Sequence, residues 1–356
     1  MNIKRLVFFF ALVLFVTGCD SSSNKNVSSK PSSAGSTLEV VVVSDTDIWK
    51  GAIGTTIKDY YGQDQPGLGQ PEPMFDIRHI AFNQFDDLFQ KHRNLLILDI
   101  DKTKEAKSNY KKDVWASPQF VIKLTAPDKS ALKKLFEKEK EIIRETFYLA
   151  ERKRIRNTYS RLDQKDLASK IKDSMNISMI VPEGFYIAKL QKNFVWLRRE
   201  PAKMSQGIMI YTQPYKSKSQ FNADRILDRR DSVTKKFVPG PIDGSYMSTE
   251  RMYRPYTRDI TFNDEYAVEV RGLWDTENYQ MGGPFLNITT YDKKNDRLVT
   301  MDGFVYHPNK PKRNYLMQLD GVIHSVKFID EEEQKKDEKE GNKQQKEEAS
   351  EDIAKE

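Results

Sequence analysis

Hydrophobic and polar positions divide this chain into four stretches. Leu6 to Val16 is an unbroken apolar run, preceded by Lys4 and Arg5 and followed by Thr17-Gly18-Cys19. Asp20 to Thr37 holds almost nothing apolar. A core-building pattern then runs from Leu38 to Ile329, after which Lys, Glu and Gln dominate to Glu356.

Within the core-building stretch, Leu38 to Val43 is short and β-branched, which predicts a buried strand. Ile48, Ile53, Ile57 and Tyr60/Tyr61 recur at helical spacing behind Asp47, a suitable N-cap. Gly62 to Pro73 is rich in turn residues. Phe75 to Phe82, Leu95 to Ile100 and Gln119 to Leu124 read as strands, with a short helix over Asn83 to His92, so the order is βα-alternating. Asp128 opens a long helix with Leu132, Leu135/Phe136, Ile142/Ile143, Thr146/Phe147 and Ala150 on one face. Its other face is Lys, Arg and Glu and ends in Arg152-Lys153-Arg154-Ile155-Arg156, cations that complement the helix dipole. That face is either solvated or a contact for anionic lipid or an acidic partner.

The pattern resets around Asp163 to Asp166 and becomes strand-dominated. Strands are predicted at Met179–Val181, Phe194–Arg198, Gly207–Tyr211, Tyr266–Trp274, Phe285–Tyr291 and Leu298–Val305, with a hairpin turn at Lys293-Lys294-Asn295-Asp296. Helices are predicted near Asn222 to Lys236 and from Lys312 to Val322. The fold class expected is α+β: a βα-alternating N-terminal domain over 38–161, then an antiparallel sheet with helices packed on one face over 164–330. A disordered tether over 19–37 and a disordered charged tail over 331–356 flank them.

The opening residues have the order of a secretory signal over 1–18. Eleven apolar residues, at about 1.5 Å each, cover roughly half of a hydrocarbon core, too little for a permanent span. Small residues before Cys19 resemble the lipobox of bacterial lipoproteins, which predicts lipid attachment, palmitate included, at Cys19. It is the only cysteine, so its modification leaves no thiol for disulfide, metal or nucleophilic chemistry. The formal charge is +6, but 331–356 carries eleven acidic and six basic residues. The region between signal and tail is therefore strongly basic. In an exported, tethered chain this favours anionic lipid or polysaccharide over nucleic acid, which is not expected as a partner.

Several segments together resemble the Bacteroidota lipoprotein family known as domain of unknown function 4837. They run nearly from Leu38 to Ile329 and are Asp47-Ile-Trp-Lys-Gly51, Pro71-Glu-Pro-Met-Phe75, Phe194-Val-Trp-Leu-Arg198, Arg230-Asp-Ser232, Phe237-Val-Pro-Gly240, Gly244-Ser-Tyr-Met247, Trp274, Gly283-Pro-Phe285, Gly303-Phe-Val-Tyr306 and Lys312-Arg-Asn-Tyr315. The resemblance implies an envelope lipoprotein and supplies no catalytic residues.

Two groups of residues stand out as candidate chemistry. Asp45/Asp47 and Asp99/Asp101 each follow a predicted strand; if those strands are parallel neighbours, four carboxylates share the sheet edge where α/β folds bind ligands and hard cations. The competing reading is helix caps and turns. Aromatics concentrate in the second half, where the first reading is that they fill sheet-on-helix cores; the competing reading makes Trp274, Tyr279 and Phe285, around a Gly282-Gly283-Pro284 loop, a candidate binding surface. His79, His92, His307 and His324 have no metal-ligand spacing, and no nucleophile elbow, P-loop or dinucleotide fingerprint is present, so no cofactor is implied. The expectation is a non-catalytic binding protein for an envelope protein or cell-wall glycan, anchored by lipid, with the outer membrane facing the periplasm favoured and the inner membrane or cell surface as alternatives. The alternative is a metal-assisted hydrolase built on the Asp cluster.

Overall fold

The computed structural model describes residues 30–330. The signal segment, Cys19 and the charged tail lie outside that range. The first half contains β1 (Glu39–Val43), α1 (Thr46–Lys50), α2 (Ala52–Tyr61), β2 (Asp76–Ile80), α3 (Asp87–Gln90), β3 (Asn94–Ile100), β4 (Lys107–Lys112), β5 (Phe120–Ala126) and α4 (Lys129–Tyr159). The second contains α5 (Lys165–Met175), β6 (Ile177–Ser178), β7 (Tyr186–Gln191), β8 (Phe194–Arg199), β9 (Ser205–Pro214), α6 (Ala223–Phe237), β10 (Tyr246–Thr249), β11 (Tyr256–Phe262), β12 (Glu265–Glu277), β13 (Tyr279–Asp292), β14 (Arg297–Tyr306), α7 (Arg313–Ile323) and β15 (Lys327–Phe328). The class is α+β.

The first sheet has the order β2-β1-β3-β5-β4. Its first four strands are parallel, and β4 closes the edge antiparallel to β5. Alternation decides the packing: Val40, Val42, Leu96, Leu98, Ile122 and Leu124 meet α2 and α4 on one face. Val41, Val43, Leu95, Ile97 and Val121 meet Phe85 and Trp115 from loops on the other. Asp128 caps α4 by accepting from Ala131 N at 2.9 Å.

The second sheet has the order β10-β12-β13-β14-β9-β8-β7, with β11 paired to β12. Helices cover both of its faces rather than one. Val195, Leu197, Ile208, Ile210, Ile288 and Met301 pack with α5 and α7. The alternate residues Phe194, Trp196, Met209, Tyr211, Phe285 and Phe304 pack with α6. A strand whose two sides are both apolar needs cover on both, and that pattern was already present in Phe194-Val-Trp-Leu.

Residues 30–37, expected within the tether, lie against the first half. Ala34 N donates to Lys91 O and Arg93 N to Ala34 O, both at 2.9 Å, and Ser117 N donates to Pro31 O at 2.9 Å. Exposed loop backbone at 91–93 and 117 offers hydrogen-bonding groups that a polar segment satisfies without any apolar side chain.

Candidate functional site

The described surface contains a pocket of about 530 Å³ lined by Tyr215, Lys218, Phe221, Glu265, Tyr266 and Tyr291. Its aromatic walls come from three places: the loop after β9, the start of β12 and the end of β13. Tyr215 and Tyr291 have ring centroids 4.7 Å apart, Phe221 meets Tyr266 edge-on at 5.1 Å, and Tyr215 lies 6.4 Å from Phe221. Tyr266 is 51% exposed.

The phenol groups are anchored behind the rings. Tyr266 Oη donates to Asp259 at 2.8 Å and Tyr291 Oη to Asp296 at 2.7 Å. Partial burial and the Asp259 carboxylate raise the Tyr266 pKa, and the Asp296 bond raises that of Tyr291, so both stay neutral donors. The loop carrying Tyr215 and Phe221 is fixed by its own hydrogen bonds: Ser217 and Gln220 form a capping box. Gln220 Oε1 also accepts from Lys216 N at 2.6 Å, and Arg225 donates to Ser219 Oγ at 2.7 Å. The pocket is therefore formed before any ligand arrives.

Glu265 and Lys218 supply an acceptor and a donor at the rim. Glu265 is held by Lys293 at 2.5 Å. Aromatic faces beside such groups suit a ligand with an apolar C–H face and a hydroxyl edge.

The expected aromatic surface lies elsewhere and is core. Trp274 is 2% exposed, Phe285 is fully buried, and of the three only Tyr279 is exposed. Gly282-Gly283-Pro284 belongs to β13 instead of a loop, because the β12–β13 hairpin turns at Asn278, whose φ is 61°. A Cβ added at Gly283 would come within 2.1 Å of Val305 O and 3.2 Å of Trp274 Nε1, and the Trp274 indole N–H donates to Val305 O at 3.3 Å.

The Asp pairs do share one sheet end, since β1 and β3 are parallel neighbours. The structure does not bring them together as a donor set. Asp47 pairs with Lys129 at 2.5 Å, Asp99 with Lys123 at 2.8 Å and Asp101 with Lys104 at 2.7 Å. Lys129 holds Asp47, and Lys104 holds Asp101, below the ordinary carboxylate range. Asp45 is exposed at the start of α1. Among the described residues no three His, Cys, Asp or Glu side chains are placed to hold a metal. Three of the four carboxylates thus face a lysine in this basic sequence instead of another carboxylate.

Sequence reading missed a buried charge network where the two halves meet. Arg152 of α4 donates to Asp320 of α7 through Nε and Nη2, both at 3.1 Å. Arg271 reaches Asp320 at 3.3 Å and Glu269 at 2.8 Å, and Arg258 bridges Glu269 at 3.0 Å and Glu145 at 2.9 Å. His324 Nδ1 lies 2.8 Å from Asp320. Burial opposes charge on Glu269, yet Arg271 and Arg258 bring its pKa down to about 2. Burial likewise opposes charge on Asp320, and Arg152 and His324 hold it well below its ordinary value. Glu72 adds a further tie across the halves, accepting from Lys312 N at 2.7 Å and Arg313 N at 2.9 Å at the start of α7. The visible signal was Glu269 and Arg271 interrupting an apolar strand.

Fold and site define an α+β protein of two tied halves with a preformed aromatic pocket, and no helix among the described residues is long and apolar enough to cross a membrane. Residues 164–325 match the domain of unknown function DUF4837, which bears out the family resemblance. Residues 33–160 match a second domain of unknown function, DUF8532, so the segments around Asp47 and Pro71 belong to that match. No curated protein matches the chain. Among solved structures, the Saccharomyces cerevisiae Ran-binding protein Mog1p is 10% identical, covering 44% of this chain and 91% of its own, with a TM-score of 0.31. LpqN of Mycobacterium tuberculosis, described as involved in cell envelope biogenesis, is 10% identical over 43% of this chain and 83% of its own, with a TM-score of 0.27. Likenesses this distant carry no functional argument.

Proposed function

We propose that this is an exported lipoprotein, anchored through Cys19 to the outer membrane and facing the periplasm, that binds a neutral envelope glycan without turning it over. The observation that carries the reading is the pocket of Tyr215, Phe221, Tyr266 and Tyr291. A pyranose ring presents C–H groups on its flat side, which pack against aromatic faces, and hydroxyls at its edge, which Glu265 and Lys218 can bond. A cationic ligand fits less well, because Lys218 already places a positive charge at the rim.

Calorimetric titration of the full chain with soluble fragments of cell-wall glycan tests this. Tyr266→Ala and Tyr291→Ala are each expected to weaken binding about tenfold or more, since truncating a ring at a binding centre removes a dominant contact. Thermal midpoints should barely move, as both rings stand outside the core clusters. Binding that is unchanged in both variants, or release of cleaved glycan, would sink the reading. The anchor is tested separately: cells fed labelled palmitate should label the parent chain and leave Cys19→Ser unlabelled.

A further inference from the structure

The outer surface of α4 carries Lys138, Ile142, Leu149 and Lys153 in one stripe, because steps of four, seven and four stay on one side of a helix. Ile142 is 56% exposed and Leu149 58%, so two large aliphatic side chains stand in water between two lysines. Beside them a groove of about 260 Å³ runs between α4 and the β4–β5 edge, lined by Phe120, Leu149 and Ala150 and flanked by Lys112, Lys153 and Arg154. Lys112 Nζ sits 5.5 Å over the Phe120 ring.

The acidic groups nearby are already engaged. Asp113 accepts from Gln119 N at 2.7 Å, Glu139 from Tyr110 Oη at 2.8 Å, and Glu151 from Arg154 at 2.9 Å. Glu141 and Glu145 lie 2.8 and 3.1 Å from Arg144. Arginines thus offset Glu141, Glu145 and Glu151, while Asp113 and Glu139 keep their charge; the exposed side chains of the stripe itself, Lys138, Ile142, Leu149 and Lys153, are aliphatic and cationic.

The chain also enters the described structure here. Lys30 Nζ donates to Asp113 O, and Pro31 O accepts from Ser117 N, two segments that border the groove. Cys19 precedes Lys30 by eleven residues, a reach of at most about 40 Å when fully extended. A lipid on Cys19 would therefore hold this face within reach of the bilayer.

We propose that the α4 stripe and the Lys112 groove form the protein's contact with an anionic lipid surface. Ile142 and Leu149 enter the headgroup boundary while Lys112, Lys138 and Lys153 meet lipid phosphates. The position of the face rests on the lipid-anchored reading; its chemistry does not.

The test uses the chain from Asp20 onwards, so that neither the apolar signal segment nor lipid on Cys19 contributes. It is mixed with vesicles of phosphatidylcholine alone and of phosphatidylcholine with phosphatidylglycerol. Binding is expected only to the anionic vesicles and should fall with added salt. Ile142→Gln with Leu149→Gln, or Lys138→Glu with Lys153→Glu, should each reduce it about tenfold or more while the thermal midpoint is kept. No binding, equal binding to both vesicles, or variants that bind like their parent would overturn the proposal. So would loss of a dimer in the Gln variant with vesicle binding intact, which would make the face a contact between copies. Because this chain has no anchor, failure of the palmitate experiment cannot be mistaken for failure of the face.

Discussion

Asp320→Ala is expected to destabilise the folded chain by about 3–5 kcal/mol, read as a lower urea midpoint at unchanged slope. The carboxylate is fully buried and accepts from Arg152 and Arg271, with His324 beside it. Its removal takes away the carboxylate that Arg152 and Arg271 both hydrogen-bond, leaving Glu269, 3.9 and 2.8 Å from them, to offset two buried guanidinium groups. A loss under about 1 kcal/mol would show that water reaches the junction and that the network is worth no more than a surface pair.

The same network predicts acid sensitivity. Glu269 and Asp320 have folded pKa values below their unfolded ones, so the unfolded chain binds protons first as pH falls. Their contribution is complete above the ordinary carboxylate range near 4. It is lost progressively as pH drops towards about 2, where Glu269 titrates in the folded protein. In Asp320→Ala the fall in stability over that window should be shallower than in the parent.

An effect of similar size is expected at the second buried pair. Arg230 of α6 and Asp302 of β14 are both fully buried and 2.9 Å apart. Arg230 lies 4.1 Å over the Phe285 ring and also donates to Thr249 at 3.0 Å, while Asn287 donates to Asp302 at 2.9 Å. Asp302→Ala should cost about 3–5 kcal/mol because a buried guanidinium is left behind. Arg230→Met should be comparably harmful for the converse reason. The double variant Arg230→Met/Asp302→Leu should be much more stable than the sum of the two losses. Additive costs in chemical denaturation would mean that the two charges do not depend on each other.

The legible parts of this fold were those governed by apolar periodicity. β1, β3 and the long strands of the second sheet follow their β-branched runs, and α4 and α6 begin at Asp128 and Asn222 as capping chemistry requires. Edge elements were harder to see. β4 reads Lys-Ser-Asn-Tyr-Lys-Lys and puts only Tyr110 substantially into a core, so it has no apolar stripe to betray it. β7 and β10 close the two ends of the second sheet and β11 lies off its path, and α5 was hidden because only Ile171 and Met175 are buried.

Binding residues were harder still. Aromatic content alone does not separate core from pocket: Trp274 and Phe285 lie in the core with Ile226 and Leu227 of α6, Gly272 standing beside the Phe285 ring. Tyr266 and Tyr291 sit at strand ends, where the sheet runs out of helix to cover it. Such a distinction depends on where the layers stop, which no local pattern states.

α4 has a mechanical consequence. Its 31 residues span about 46 Å at the usual rise. One end is embedded in the first core, and further along Arg152 and Ile155 grip α7, with Gly321 kept bare so that Ile155 can approach. The helix is thus a rigid beam shared by both halves. The second half is therefore tied to the first along the α4–α7 seam around Asp320 as well as through the short covalent link at Ser160–Asp163.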